Sequence, residues 1–390
     1  MDITPSPEET SQSQLLADKI FQEIRAQDGQ ISFAKYMEMA LYTPGLGYYS
    51  AGKTKLGKAG DFTTAPELSP LFGRTIVNTL APILDELKKS GGPLQILEFG
   101  AGSGALAESI LEGLKHAGIT IDVYNILDLS ADLIARQKER LANRSEHIQW
   151  LNELPNNFVG IILANEVMDA MPVDIVTLKN GEWHYKDVTI KSAQAETTQL
   201  SFCSGKKVDS ALLPNALLSQ SFADGYTTEI HLNAQAWIRS LATCVTKGAL
   251  LTFDYGFPSH EYYHPQRNQG TLIGHYRHHT IQDPFFYPGI CDLTAHVEWS
   301  SIADTAHDAG FNLLGYANQA GYLLDAGISQ LILDIADPSD AVKFMPISNA
   351  LQKLLSEAEM GELFKVMCLG MNLSFSEGDL PGFRARPRAL

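Results

Sequence analysis

Three glycines at alternate positions, Gly100, Gly102 and Gly104, follow a carboxylate, Glu98, and a second carboxylate, Asp128, stands 24 residues beyond the last of them. Glycine lets a main chain turn sharply and approach a ligand with no Cβ in the way. The free amides at the start of a following helix can meet that ligand, and an acid at the tip of the next strand can hold a ribose by its two hydroxyls. These residues point to a nucleoside cofactor. Gly100 to Ala105 also fits the dinucleotide pattern G-x-G-x-x-G/A, so the glycines alone leave NAD open. Glu98 discriminates better. Its charge would repel a pyrophosphate lying over the turn, whereas it suits the amino or sulfonium region of S-adenosylmethionine.

A second cluster reads Asn165-Glu166-Val167-Met168-Asp169-Ala170-Met171-Pro172 and follows a strongly apolar run, Phe158 to Ala164. Ligands of doubly wound folds bind at the carboxyl ends of strands, so Asn165, Glu166 and Asp169 would face the reactive end of the cofactor. Either acid could hold a nucleophile, or could simply cap the helix that follows. Glu229 precedes a helical pattern starting at Leu232, which Asn233 would cap. Paired with Glu166 in one pocket, Glu229 would clamp a guanidinium and favour attack by one nitrogen. The alternative is a surface acid. His260, His264, His275, His278, His279 and His296 show no metal-ligand spacing, so no metal is expected, although His296 could line the site. The nucleophile elbow and the phosphate-loop Gly-Lys-Ser are missing from the sequence, and with them the usual marks of hydrolases and NTPases.

The elements that must carry these residues alternate in type. Strands at 94–99, 121–127, 147–151 and 158–164, with helices at 104–116 and 131–142, imply a parallel sheet with right-handed crossovers. After Pro172 the period changes to a β-hairpin, Val173 to Leu178 and Trp183 to Ile190 about Asn180-Gly181, and 191–226 reads as irregular. The core resumes with a helix from Leu232 to Thr246 and a strand from Ala249 to Phe253. Later come a helix at 300–309, a strand at 311–317, and a closing helix and antiparallel strand ending near Leu369. The expected organisation is a tail at 1–14, a helical extension at 15–90 with a long glycine- and aromatic-rich loop, Gly45 to Pro70, and a domain at 91–390 interrupted at about 173–230 and 257–291. A loop of that length is suited to covering a bound ligand.

The chain has 390 residues, 45% hydrophobic and 19% charged, which is a globular composition. Its net charge of −16 argues against nucleic acid, which needs a basic surface, and favours a basic protein partner. Cys203, Cys244, Cys291 and Cys368 are widely spaced, as in reduced intracellular proteins. No apolar run reaches membrane-spanning length. Met1 to Gln14 contains no Lys or Arg, from which a cytoplasmic location, or a mature form already processed, is expected.

Six motifs occur in a fixed order: Tyr42-Thr43-Pro44-Gly45-Leu46-Gly47-Tyr48-Tyr49, Gly60-Asp61-Phe62-Thr63-Thr64-Ala65-Pro66-Glu67, the Glu98 to Gly104 turn, Asn165 to Pro172, Asp254-Tyr255-Gly256 and Asp292 to Val297. In these the chain closely resembles the MidA family of S-adenosylmethionine-dependent methyltransferases over about residues 15–372. The mitochondrial members of that family are complex I assembly factors that methylate arginine on a subunit of the enzyme. The resemblance implies an α/β fold with a doubly wound, mostly parallel, seven-stranded class I methyltransferase sheet of Rossmann-like type. It implies S-adenosylmethionine as cofactor, S-adenosylhomocysteine as product and a protein substrate. By resemblance Gly60, Asp61, Phe62, Thr63, Thr64, Glu98, Gly100, Gly102, Asp128 and Leu129 surround the cofactor, and Asn165 and Glu166 sit between cofactor and acceptor. Asp128 stands where many relatives carry Glu, a change that keeps a ribose acceptor. Three readings follow: a protein arginine N-methyltransferase, a methyltransferase of a small molecule or another side chain, or a cofactor-binding assembly protein. Shared fold and cofactor do not fix the acceptor, so a respiratory-complex subunit is not inherited with them.

Overall fold

A computed structural model describes residues 3–51, 64–144, 146–191, 199–335, 340–385 and 390. Its centre is a twisted sheet of seven strands on one continuous path: β1 (Gln95–Phe99), β2 (Val123–Leu127), β3 (Ile148–Leu151), β4 (Phe158–Asn165), β5 (Val245–Phe257), β6 (Asn312–Asn318) and β7 (Phe364–Met371). Their order is β6-β7-β5-β4-β1-β2-β3, and a short strand, Val297–Glu298, pairs with the end of β5. Six strands run in one direction, and β7 alone runs against them, antiparallel to both β5 and β6. The order reverses at β1 and β4, which opens a crevice at their carboxyl ends.

Near-continuous apolar strands suit a sheet covered on both faces, because alternate residues feed opposite cores. Ile96, Ile161, Leu163, Leu251 and Val366 join the core under the helices Pro70–Lys89 and Ala105–His116. Leu97, Ile162, Leu250 and Met367 join the other, under Leu232–Cys244 and Trp299–Asp308.

Around this domain sits a second lobe drawn from three stretches of chain. Gln30–Ile31 pairs with Glu182–Lys191, which also pairs with Asp174–Lys179 and Gln199–Lys207, and Thr227–Ile230 completes that sheet. Leu16, Ile20, Phe33 and Met37 pack with Val173, Val188, Tyr276 and Leu293 in one core. The N-terminal extension and both insertions therefore share their interior.

Two expectations are corrected. The first helix begins at Pro7, not after a tail ending at Gln14, because Ser6 and Glu9 form a reciprocal capping box with N–H···O distances of 3.2 and 2.8 Å. Part of the supposedly irregular 191–226 stretch is the strand Gln199–Lys207, which satisfies its backbone against Glu182–Lys191. The helix Pro70–Lys89 starts behind the cap Ser69, after a separate short helix, Ala65–Leu68.

Candidate active site

A cavity of about 780 Å³ opens at the carboxyl ends of β1, β2 and β4, within the size range of small-molecule sites. On its β1 side, the turn after Phe99 places Gly100 at φ +58°, a left-handed backbone that glycine adopts freely. Glu98 is buried beneath this turn and accepts a 2.7 Å hydrogen bond from the Tyr124 hydroxyl. Burial raises its carboxyl to about 8, against that hydrogen bond, which lowers it. At the tip of β2, Asp128 Oδ1 accepts from Ser130 N at 2.9 Å, and Oδ2 from Gln137 Nε2 at 2.8 Å. Each oxygen keeps acceptor capacity for a ligand. Gln137 Nε2 also donates to the Gly102 carbonyl at 3.0 Å and so ties the glycine turn to the Asp128 tip. Leu129 is 78% exposed on the cavity wall, an apolar surface at the rim.

The β4 side carries the second cluster. Asn165, Glu166 and Asp169 all line the cavity. Glu166 has φ +53°, a costly backbone for a residue with a side chain. Strand β5 supplies what holds it there. Glu166 N donates to Phe253 O at 2.9 Å, and Asp254 Oδ2 accepts from Val167, Met168 and Asp169 N at 3.2, 2.9 and 3.2 Å. Asn165 Nδ2 reaches Glu166 Oε1 at 3.1 Å, and the Tyr255 hydroxyl donates to Asp169 Oδ2 at 2.6 Å. Asn165 Oδ1 and Asp169 Oδ1 are buried with no hydrogen-bond partner among the described residues.

Acids crowd this end. Burial and the Asp169 charge raise Glu166 to about 8, and burial raises Asp169 to about 6 against the Tyr255 hydroxyl and nearby backbone N–H groups. Asp254 is raised by burial and by both neighbours. A cavity whose carboxylates repel one another is stabilised by a cation.

The extension forms the opposite wall. Tyr42 and Tyr49 stack at 5.6 Å between ring centroids; their hydroxyls donate to Ala170 O at 2.8 Å and Asp292 Oδ1 at 3.1 Å. Thr64 also lines the cavity, while Gly60, Asp61, Phe62 and Thr63 lie outside the described residues. Just beyond, Glu67 accepts from the Ser103 hydroxyl, and Arg140 Nη1 donates to Ser103 Oγ at 2.6 Å.

Glu229 does not join the site. It is buried in the second lobe, where its oxygens accept from Thr271 N at 2.9 Å, Leu272 N at 3.0 Å and the Tyr262 hydroxyl at 2.9 Å. These bonds fasten the second insertion and leave Glu229 off the cavity wall. Its expected role as a guanidinium clamp is withdrawn. Asn233 does line the cavity, but it donates to Pro172 O at 2.6 Å instead of capping its helix. His296 is half-buried, stacks on Phe257 and is not a lining residue. Tyr49 lies in the loop expected to cover the ligand, whereas sequence reasoning missed Tyr42, Trp237 and Asp254 as parts or supports of the site. Asp254 was findable, since it lies on the strand next to the one that ends in Asn165.

Residues 75–317 match a family of S-adenosyl-L-methionine-dependent methyltransferases. The chain belongs to this family. A solved structure from Burkholderia thailandensis, bound to S-adenosyl-homocysteine, is 43% identical, covers 99% of this chain and 98% of its own, and superposes with a TM-score of 0.92. The native structure from the same organism gives a TM-score of 0.89 at 43% identity. "Protein arginine methyltransferase NDUFAF7, mitochondrial" from Danio rerio is 28% identical, over 86% of this chain and 82% of the relative. The Homo sapiens protein of that name is 26% identical, over 87% and 80%. The methyltransferase thus uses S-adenosylmethionine on the expected α/β fold. Its expected cytoplasmic location is overturned, since these named relatives are mitochondrial. No helix among the described residues is long and apolar enough to cross a membrane.

Proposed function

We propose that this methyltransferase acts on the guanidinium of arginine side chains in a protein. The observation that carries the reading is the pair of lining carboxylates, Glu166 and Asp169, with an unpartnered oxygen on Asp169. A guanidinium is planar, always charged and matched to paired carboxylate acceptors. The curated relatives named as protein arginine methyltransferases support it.

In this reading the residues divide by cavity end. Asp128 holds the ribose hydroxyls, Leu129 flanks the base, and Gly100, Gly102 and Glu98 approach the amino acid end. Bound S-adenosylmethionine supplies an electrophilic methyl group on a sulfonium. Asn165, Glu166 and Asp169 orient the acceptor nitrogen, and much of the acceleration comes from that positioning. A guanidinium nitrogen sheds a proton when it is alkylated. Burial and the Asp169 charge hold Glu166 near 8 in the empty cavity; a bound guanidinium returns it to the ionised form, and it can then take that proton. A respiratory-complex subunit is one protein acceptor to test, although shared fold and cofactor do not carry it over to this chain.

Incubation of a cell lysate with the enzyme and a donor carrying a radiolabelled methyl group tests the reading. Acid hydrolysis of the labelled protein should yield methylarginines. Label on another residue, or only on small molecules, defeats the arginine assignment. Cofactor binding without any labelled product favours the assembly-protein reading.

A further inference from the structure

The Asp254-Tyr255 pair near the tip of β5 is not among the cavity-lining residues, yet both residues grip the turn that carries Glu166 and Asp169. Asp254 is fully buried and takes three consecutive backbone N–H groups of that turn on a single oxygen, Oδ2. Its other oxygen accepts from Tyr255 N at 3.0 Å, which fixes the direction in which the next residue leaves the strand. Tyr255 then reaches the same turn by its hydroxyl and donates to Asp169 Oδ2 at 2.6 Å. The ring is held on two sides, edge-on to His296 and Phe364 at centroid distances of 5.0 and 5.4 Å. Behind the turn, Ala295 N donates to Asp169 O at 3.1 Å. Main chain and side chain of Asp169 are thus fastened from separate directions, and only Oδ1 is left without a partner among the described residues.

We propose that Tyr255 is a positioning residue for methyl transfer: its hydroxyl fixes one oxygen of Asp169 so that the other is reserved for the acceptor. Asp254 serves the same end by holding the main chain of the turn. A carboxylate free to rotate would spend part of its time with neither oxygen aligned, and small misplacements of an orienting group are costly in transfer reactions. This inference rests on the reading that Asp169 meets the acceptor, but not on the acceptor being arginine.

Tyr255→Phe removes one hydroxyl and keeps the packed ring. Transfer in the lysate, measured on whichever residue the wild-type enzyme labels, should fall about tenfold or more, while affinity for S-adenosylhomocysteine stays within about twofold. In an Asp169→Asn background the same substitution should change transfer by less than about twofold, because no carboxylate remains to be aimed. Wild-type rates in Tyr255→Phe, or full additivity with Asp169→Asn, would overturn the proposal. A crystal structure of Tyr255→Phe gives a readout free of any acceptor: the Asp169 carboxylate should turn away from its wild-type orientation, and an unmoved carboxylate counts against the assignment. Label on a residue other than arginine would sink the function proposed above and still leave the Tyr255 comparison interpretable.

Discussion

Asp128 shares its two oxygens between the protein and the ligand, which makes its contribution separable. Asp128→Ala should weaken S-adenosylhomocysteine binding by about 1–3 kcal/mol through lost hydrogen bonds to a charged acceptor. Isothermal calorimetry checks this, and an unchanged affinity would remove Asp128 from the cofactor site. Glu166→Gln should behave oppositely. Donor affinity should stay within about threefold while turnover drops at least about tenfold, since an interaction made with the acceptor appears in the rate and not in the donor's binding constant. Carboxylates of this kind were legible where a strand tip located them, as for Glu98, Asp128 and Glu166. Glu229 carried the same letter without that frame. Its buried bonds to Thr271 and Leu272 depend on residues about forty positions away, which no local pattern encodes.

The strands beneath the site are as constrained as its side chains. A Cβ built on Gly248 of β5 would sit 1.8 Å from the Gly160 carbonyl oxygen of β4, and Gly248 itself has φ +151°. Gly248→Ala should therefore pry apart the two strands whose tips carry Asn165 and Asp254. A loss of about 1–3 kcal/mol is expected, the range for overpacked interiors, read as a lower midpoint in urea denaturation. The parallel strands were readable because each is a short apolar run between turn residues and alternates with amphipathic helices. The strand Gln199–Lys207 was not. It is polar and half exposed, and what makes it a strand is the neighbouring edge it pairs with. The capping box at Ser6 and Glu9 was present in the sequence, but the helix it opens is polar for its first two turns, so apolar periodicity pointed to a later start.

Across the whole molecule, buried acids couple the site to pH. Glu98 and Glu166 are each raised to about 8 from an ordinary value of 4.5, so the folded protein binds protons that the unfolded chain has released. Their contribution to stability is complete below about pH 4.5 and is lost as pH rises through about 8. Between pH 6 and 8.5 the melting temperature of the ligand-free protein should fall, and Glu166→Gln should reduce that slope. A flat profile in differential scanning calorimetry would contradict the buried, protonated state of these acids. The second lobe has a consequence in time as well as in space. Gln30–Ile31 finds its sheet partners only at Val188 and Thr189, and Phe33 and Met37 share a core with Leu293. On a ribosome, the first forty residues must wait for most of the chain, on the order of tens of seconds at ordinary synthesis rates, with apolar helix faces uncovered. These residues are made well before their partners and are among the last to be completed, so nascent chains stalled before residue 170 should expose them to proteases and to chaperones that bind apolar surface.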